Sequence, residues 1–389
     1  MRVSIPNLLP AMALESDVMR TLRLEVRAWL QAEVDAGLFE PGVDRWLDGY
    51  DREFTTRLAS RGWLGMTIPT KYGGQGKSFL ERFVVTEELL AAGAPVAAAW
   101  IADRQVAPSL LRFGTEAQKN TYLPAISAGE CFFSIGMSEP DSGSDLASVR
   151  TVATKSDDGW RLTGTKVWTS GAHLSDAFIV LARSSPKDMS RRHDGLSQFI
   201  VNLRAPGVEV RPIISLSGGH HFNEVHLDDV LVSHDMLLGT EGAGWEQVTS
   251  ELAYERSGPE RFLSTFQLLC AMVDEVRTNN PSAELGLGRI VGRLRALHCM
   301  SMAIAGALER GEYPDTAASI VKVLGTTFEG DIAEVVALGL HLDQDSVGNL
   351  GGRLDDLLAT SLAHRPGFTI RGGTNEVLGG LIAKGLGLR

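Results

Sequence analysis

The sequence predicts an α+β protein in which a middle β domain separates two helical domains. Apolar residues recur at helical spacing from residue 11 to about residue 130. From there to about residue 235 the spacing changes to two, and turn residues separate short apolar segments. The helical spacing then returns in long segments joined by short loops, which is typical of a helix bundle. We therefore predict an N-terminal α-helical domain over residues 1–130, a middle antiparallel β-barrel over 131–236, and a C-terminal four-helix bundle over 237–389.

The N-terminal helices are predicted from amphipathic segments and from their capping residues. Between residues 18 and 33, Leu22, Val26 and Leu30 recur with charged residues between them. Thr115 precedes another helical segment and is a good N-cap. A glycine-rich loop at 71–76 lacks the Gly-Lys-Ser/Thr ending of a P-loop, so it is only weak evidence for phosphate binding. Further helices are predicted at 51–62, 79–92 and 91–102.

The middle and C-terminal elements follow from the change of period. In the middle region, turns such as those at 157–159 and 205–207 separate segments that alternate or run apolar. Several short strands at this spacing indicate an antiparallel barrel or sandwich. Strands are predicted at 149–154, 160–163, 177–182, 198–203 and 224–227. Helices are predicted at 244–257, 262–277, 285–310 and 316–340, with one more after residue 352.

The composition limits the class of protein. With 389 residues, of which 44% are hydrophobic, the chain is long enough for two or three cores. The net charge of −11 argues against a nucleic-acid partner. Three widely separated cysteines and nine histidines without ligand spacing predict neither a disulfide framework nor a bound metal. We expect a cytoplasmic protein without a membrane segment, because no signal peptide is recognisable and the apolar run at 91–102 is short.

Two segments of the middle region carry the most specific signal. The first, at 138–145, reads Ser-Glu-Pro-Asp-Ser-Gly-Ser-Asp, and its hydroxyls and backbone N–H groups suit the polar edge of a cofactor. The second, at 164–171, reads Gly-Thr-Lys-Val-Trp-Thr-Ser-Gly. Its indole could lie against an aromatic cofactor while Thr169 or Ser170 bonds the heteroatoms. The alternative is a surface hairpin whose tryptophan covers a core.

Together the two segments resemble the middle domain of the flavin-dependent acyl-CoA dehydrogenases, and the resemblance extends over nearly the whole chain. It implies the helix–barrel–helix architecture of that family, FAD as cofactor and an acyl-CoA thioester as substrate. Two serines stand where many members of the family have threonine, which keeps the hydroxyl. The resemblance implies FAD contacts at Met137, Ser138, Ser144, Trp168, Ser170, Thr374 and Glu376, and substrate contacts at Ser144, Arg256 and Gly372.

The catalytic base is missing from its usual position. Oxidation of an acyl thioester needs a base for the α-proton, a flavin that accepts the hydride, and donors for the enolate oxygen. Most members of the family carry the base just before a Gly-Thr near the C-terminus, where this chain has Gly372. In isovaleryl-CoA dehydrogenase and its relatives, the base lies on the first helix of the C-terminal domain, directly before an arginine. Glu255, followed by Arg256, matches that second position.

The local pattern around Glu255 is compatible with this role. Trp245, Val248, Leu252 and Glu255 are spaced so that they share one narrow stripe of a helix, and the other three are apolar. Desolvation on a buried stripe raises the pKa of a carboxylate, as a general base near neutral pH requires. The alternative is a structural ion pair, for example with the neighbouring arginine. Glu251, one turn earlier, is the less favoured substitute.

Two departures from the family pattern leave the function open. An Arg-x-x-Phe-Gly motif is absent around 277–282, and a Gln-x-x-Gly-Gly-x-Gly motif is replaced at 346–352. Both motifs serve the flavin of a partner subunit. The first hypothesis is an FAD-dependent acyl-CoA dehydrogenase of fatty acid or steroid side-chain metabolism, a homo- or hetero-tetramer that passes electrons to an electron-transferring flavoprotein or similar acceptor. The others are a non-catalytic or half-site subunit of a heteromeric dehydrogenase, and a flavin monooxygenase on the same fold.

Overall fold

The computed structural model describes residues 8–275, 281–342 and 352–388, without the side chains of helical residues 251–255, 275, 281–285 and 339–342. The chain forms two compact units. The first comprises Met1–Trp46, Ser78–Pro95 and Glu255–Arg389, and the second comprises Leu47–Lys77 and Val96–Tyr254. The predicted order of helices, sheet and helices is confirmed. Among the described residues, no helix has both the length and the apolar character that crossing a bilayer requires.

Most predicted helices and strands are present, but the strand predicted at 224–227 is much longer, and the helix at 107–113, the strand at 208–213 and a second helix after residue 352 were not predicted. The helices are α1 (Asp17–Asp35), α2 (Arg52–Ser60), α3 (Phe79–Ala91), α4 (Ala97–Ile101), α5 (Ala107–Phe113), α6 (Glu116–Ser127), α7 (Gly244–Arg256), α8 (Phe266–Glu275), α9 (Pro281–Glu309), α10 (Asp315–Leu342), α11 (Arg353–Phe368) and α12 (Asn375–Gly385). The strands are β1 (Phe133–Gly136), β2 (Val152–Ser156), β3 (Gly159–Lys166), β4 (Ala177–Arg183), β5 (Leu196–Asn202), β6 (Val208–Ile213), β7 (Phe222–Val232) and β8 (Leu237–Leu238).

The predicted helix at 91–102 is wrong in its first half. The α3 helix ends at Ala91, and Gly93 follows it with a φ of 61°. A side chain at Gly93 would meet the backbone oxygen of Gly42 at 2.5 Å, so glycine is required there for both conformation and space. The next helix, α4, begins only at Ala97 and continues through a π-helical turn into α5.

The second unit is built around one sheet. Its strands lie in the order β6-β7-β3-β2-β4-β5-β8, and β1 pairs with β4. Most neighbours are antiparallel, as predicted, but β4 pairs in parallel with β1 and, at one position, with β2. The connection over 137–176, which contains the β2–β3 hairpin, is long enough for the crossover that a parallel pair needs.

The β4 strand is buried on both faces, which explains why its sequence is an apolar run. Phe178 and Val180 lie in a buried cluster with Trp160 and Phe199 on one side of the sheet. Ile179 lies in a second cluster, with Leu110, Leu123 and other residues of α5 and α6. Burial on two faces removes the alternation expected of a strand with one solvated face. Because β1 pairs with this buried strand, the start of the loop after β1 is held beside it.

The first unit joins helices from both ends of the chain. Met19 of α1 and Phe83 of α3 lie in one buried cluster with Met302 of α9. On the same helices, Arg23 pairs with Glu87 at 2.7 Å and with Glu88 at 2.6 Å. Apolar burial of this kind is the main stabilising term in folding. The predicted domain division at residues 130 and 236 stays a prediction.

Candidate functional site

The two predicted cofactor segments are neighbours in the second unit. The backbone N–H of Val167 donates to the carbonyl oxygen of Ser138 at 2.9 Å. The Lys166 ammonium donates to the carbonyl oxygen of Met137 at 3.1 Å. Met137 and Ser138 are half-buried, whereas Ser144 is exposed farther along the same loop. The first segment is thus held directly against the end of β3.

A buried ion pair anchors this junction. The Lys166 ammonium and the Glu139 carboxylate are 2.8 Å apart, and both side chains are shielded from solvent. Burial opposes the charge of Glu139, but Lys166 and donors that include the N–H groups of Arg150 and Thr151 hold the pKa of Glu139 below its ordinary value. Burial lowers the pKa of Lys166 to about 8, with Glu139 acting against that shift. The pair is therefore mostly ionised at neutral pH.

The loop at 138–145 is also closed by bonds within itself. Glu139 and Ser142 exchange two backbone hydrogen bonds, at 2.9 and 3.0 Å. The hydroxyl of Ser142 donates to the carbonyl oxygen of Asp145 at 2.7 Å, and Arg192 pairs with the Asp145 carboxylate. These bonds define the loop without any ligand. A preformed loop loses less conformational entropy when it binds one.

Trp168 presents an open aromatic face. Its side chain is 56% exposed, and its ring meets Phe222 edge-on, with centroids 5.6 Å apart. Its φ of 60° lies in the left-handed region, which a bulky residue rarely adopts. Ser170 is half-buried two residues later, and its carbonyl oxygen accepts a bond from the Ser134 hydroxyl at 2.7 Å. An exposed indole argues against a tryptophan that merely covers a core. An open indole beside hydroxyls fits a planar heterocycle with polar edges, such as a flavin.

The predicted C-terminal site residues lie in the first unit, on a loop that is fastened by three cations. Arg256 donates from Nε to the carbonyl oxygen of Gly372 at 3.1 Å. The buried ammonium of Lys322 donates at 2.8 Å to the carbonyl oxygen of Thr369 and to the side-chain oxygen of Asn375. The third cation, Arg371, pairs with the buried carboxylate of Asp44. The backbone between Thr369 and Asn375 is therefore held at several points.

Thr374 and Glu376 are placed at the start of α12. Thr374 is the N-cap, and its hydroxyl accepts the N–H of Val377 at 3.3 Å. Glu376 is exposed, and its own backbone N–H and Thr374 hold the pKa of its carboxyl below the ordinary value. A carboxylate with a lowered pKa is a poor general base near neutral pH.

The start of the predicted base stripe on α7 packs inward. Val248 belongs to a buried cluster, against which the half-buried side chains of Trp245, Met137 and Leu146 pack. The Trp245 ring also stacks on His193 with centroids 4.0 Å apart. The side chains of Glu251, Leu252 and Glu255 lie outside the described residues, as do the backbone segments 276–280 and 343–351 that contain most of the two departing motifs. The base assignment therefore stays a prediction.

A buried carboxylate of the first unit, that of Glu329, lies near Arg371 and Asp44. Glu329 of α10 accepts the N–H of Ser264 at 2.8 Å, while its other carboxylate oxygen has no hydrogen bond among the described residues. Burial raises the pKa of Glu329 to about 7, and Arg371 only partly offsets the effect. A raised pKa means that the folded state binds a proton more tightly than the unfolded chain does.

Replacing Glu329 with glutamine is expected to stabilise the protein at pH 8 but not at pH 5. Between pH 4.5 and 7 the folded state holds the extra proton, so the free energy of unfolding of the parent falls as pH rises through this window. The rise in pKa from 4.5 to about 7 corresponds to about 3 kcal/mol. Melting temperatures of the two proteins across this pH range measure the effect. Glu334→Gln, an exposed change on the same helix, is the control, and an equal gain at pH 5 and pH 8 would contradict the prediction.

Sequence reasoning missed the residues that hold the site in place. Lys166 lies within the recognised motif but was not singled out, although an ionisable residue at the end of an otherwise apolar strand face is a signal in itself. Asp44 and Lys322 are far in the chain from the Gly372 loop that they hold, so no local pattern indicates them. Among the described residues, no cluster of three or more His, Cys, Asp or Glu could hold a metal ion.

Comparisons with known proteins cover both units. The family model described as "Acyl-CoA dehydrogenase, N-terminal domain" matches residues 16–130, and "Acyl-CoA dehydrogenase, middle domain" matches residues 134–230. The chain is 33% identical over 359 residues to the acyl-CoA dehydrogenase FadE26 of Mycobacterium tuberculosis, which covers 86% of this chain and 88% of that protein.

Two solved structures resemble the whole chain. The Tcur3481-Tcur3483 steroid ACAD matches with a TM-score of 0.84 and 29% identity, over 97% of this chain and 99% of the other. The ChsE4-ChsE5 complex from Mycobacterium tuberculosis matches with a TM-score of 0.80 and 30% identity, over 97% of this chain and 100% of the other. Both names join two proteins, and the second is described as a complex.

Proposed function

Because the chain belongs to the acyl-CoA dehydrogenase family, whose members are FAD-dependent oxidoreductases acting on acyl-CoA thioesters, we propose that it introduces an α,β double bond into an acyl-CoA with Glu255 as the base. Bound FAD would supply the hydride acceptor. The protein's own task is to remove the α-proton, to stabilise the developing enolate oxygen and to keep the reacting groups in register.

Each predicted residue has a role in this proposal. Glu255 takes the α-proton, and the backbone N–H of Gly372 donates to the thioester oxygen, a role that needs no side chain. Trp168 supplies the aromatic face for the flavin ring. Ser144 and Arg256 contact the acyl-CoA. The remaining FAD contacts are Met137, Ser138, Ser144, Ser170, Thr374 and Glu376. Ser144 therefore contacts both FAD and the acyl-CoA in this proposal.

The hydrogen bond between Arg256 and Gly372 is the observation that supports Glu255 most directly. Arg256 is the residue after Glu255, and its 3.1 Å bond holds the last turn of α7 beside the Gly372 backbone. The two positions at which the family carries its base are therefore neighbours in the first unit. A carboxylate on this turn of α7 could therefore take the α-proton in place of a side chain at residue 372.

The second candidate is a half-site subunit. The empty side-chain position at Gly372 and the two departing motifs favour it, because these motifs serve a partner's flavin in the family. The two-protein composition of the steroid ACAD and of the ChsE4-ChsE5 complex is compatible with it. In that case, the chain would contribute structure to an active site completed by a different subunit. For either candidate, we propose a steroid side-chain thioester or a branched or straight fatty acyl-CoA as the substrate. We propose an electron-transferring flavoprotein as the electron acceptor.

The proposal is tested by FAD content and by anaerobic bleaching with a panel of acyl-CoA thioesters that includes a steroid side-chain thioester. A dehydrogenase is purified yellow and is bleached by at least one thioester without oxygen. A half-site subunit alone contains little FAD and gains it when it is co-expressed with its partner. A yellow protein that no thioester bleaches, but that oxidises a substrate with oxygen and a reductant, would contradict both proposals and favour a monooxygenase.

Replacing Trp168 with alanine is expected to weaken FAD binding while the fold survives. Aromatic stacking contributes about 0.5–1.5 kcal/mol beyond burial, which corresponds to roughly two- to tenfold in Kd. The Kd is measured by titrating the apo-protein with FAD and following flavin fluorescence. Trp168→Phe keeps an aromatic face and is the control that should bind nearly as well. Full occupancy and an unchanged visible spectrum in Trp168→Ala would exclude Trp168 as a flavin contact.

We also expect the protein to associate, as a homotetramer or with an unlike subunit, because flavin sites in this family are shared across a subunit interface. Light scattering after gel filtration measures the mass at micromolar concentration. Elution as a monomer that retains FAD and full activity would contradict this. A chain that acquires FAD only with a co-expressed relative supports the unlike-subunit assembly.

The three cysteines are unpaired, which is compatible with a reducing cytoplasm.

A further inference from the structure

The turn that presents Trp168 is conformationally costly. A φ of 60° raises the free energy of a non-glycine residue, and it does so more for a bulky side chain than for most others. Such a conformation persists only where the surroundings fix it. The indole is exposed and meets Phe222 in a single T-shaped ring contact, so its own packing contributes little to holding the backbone. The constraint therefore comes from the neighbouring backbone, which Ser138 holds at Val167 on one side and which further bonds hold on the other side.

Asn223 supplies this constraint at the next residue. The backbone N–H of Thr169 donates to the carbonyl oxygen of Asn223 at 3.0 Å, and the N–H of Asn223 donates back to the carbonyl oxygen of Thr169 at 3.1 Å. The side-chain amide of Asn223 donates to that same oxygen at 3.0 Å. Both residues are fully buried. Three bonds to a single residue thus fix the two peptide groups on either side of Thr169, the first of which follows Trp168.

The side-chain amide of Asn223 is itself oriented by His220. Because the carbonyl oxygen of Thr169 can only accept, the amide nitrogen must face it and the amide oxygen must face His220, whose Nε2 is 2.9 Å away. His220 therefore carries a proton on Nε2 and donates it to Asn223. The His220 ring stacks on His173 with centroids 3.9 Å apart and planes 14° apart.

The same short segment also holds the far end of the turn. Gly171 donates its N–H to the carbonyl oxygen of His221 at 2.7 Å. His173, which stacks on His220, follows only two residues later. Residues 220–223 therefore contact the chain at 169, at 171 and at 173. Trp168 and Ser170 lie directly beside these held residues in the chain, so the held backbone limits where their side chains can lie.

On the basis of the flavin site proposed above, we propose that Asn223 is a positioning residue for FAD, with His220 and His173 supporting it. Asn223 holds the Trp168 turn in its left-handed conformation before the cofactor arrives, so that the indole is already placed. Preorganisation of this kind lowers the entropy cost of binding. Neither Asn223 nor His220 needs to touch the cofactor for this role.

Replacing Asn223 with alanine is expected to raise the Kd for FAD by roughly five- to tenfold, because one donor to Thr169 and the acceptor for His220 are lost. The Kd is measured on the apo-protein by flavin fluorescence, independently of activity. Asn202→Ala, which removes an exposed asparagine from the same sheet, is the matched control and should leave the Kd unchanged. An unchanged Kd in Asn223→Ala overturns the inference.

A double-variant cycle separates positioning from a general loss of structure. If Asn223 acts through the Trp168 turn, it has little left to position once the indole is gone. The Kd of Trp168→Ala with Asn223→Ala should then lie within about twofold of that of Trp168→Ala alone. Additive losses overturn the inference. An unchanged Kd in Trp168→Ala overturns the proposed flavin site as well, whereas a loss there with none in Asn223→Ala overturns only the positioning role.

Changes at the exposed His220 keep the test available if Asn223→Ala fails to fold. His220→Gln keeps an N–H donor for Asn223 and should bind FAD as the parent does. His220→Phe keeps a ring for stacking on His173 but loses the donor, and the Kd should rise about two- to threefold. Equal affinities in these two variants overturn the supporting role of the His220 hydrogen bond.

Discussion

Replacing Glu255 with glutamine is expected to leave the protein yellow while acyl-CoA bleaches it about 10²–10⁴-fold more slowly. Glutamine has nearly the size of glutamate but cannot accept the α-proton. The FAD contacts are on other residues, so the cofactor content should not change. Anaerobic stopped-flow measurement of flavin absorbance after mixing with the best thioester of the panel gives the rate.

The control for this experiment is Glu251→Gln, one turn earlier on α7, which should be much milder. Bleaching of Glu255→Gln at the parent rate would show that Glu255 is not the base, and the half-site proposal would gain. Moving the base, by Glu255→Gly with Gly372→Glu, should restore only part of the activity. Gly372 has a φ of 67°, a conformation that costs a side-chain-bearing residue about 1–2 kcal/mol.

Removing the Glu139 carboxylate is expected to destabilise the second unit by about 3–5 kcal/mol, because it leaves the ammonium of Lys166 buried without a counterion. Glu139→Ala also removes the acceptor of the Arg150 and Thr151 N–H groups. Chemical denaturation at pH 7, followed by tryptophan fluorescence, measures the loss. FAD affinity should fall with it, since the loop at 138–145 loses its anchor to β3.

The pH dependence identifies the buried cation as the cause. Lys166 has a folded-state pKa below its unfolded value, so the cost of its charge is present at neutral pH and disappears as pH rises towards 10.5. The deficit of Glu139→Ala should therefore shrink between pH 7 and pH 10. The double variant Glu139→Gln with Lys166→Met removes both charges and should recover most of the stability. A deficit that is independent of pH and remains in the double variant would contradict this account.

The sequence alone determined the order of the elements and the two segments of the candidate cofactor site. Local spacing of apolar residues is set by the geometry of helices and strands, so it can be read without knowing the fold. The motif at 164–171 and the absence of a side chain at Gly372 are equally local. For this reason, the family resemblance and the second base position are recognisable in the sequence alone.

Only the tertiary structure decided what holds those segments in place. Asp44 and Arg371 are 327 residues apart in the chain, yet their ion pair helps to fix the Gly372 loop. Lys166 became an anchor because folding buries it beside Glu139, and Asn223 became one because β7 passes beside the Trp168 turn. The strength of a charge or a hydrogen bond depends on burial and on which partner lies within about 3 Å. Those two quantities follow from the packing of distant segments, which no local pattern contains.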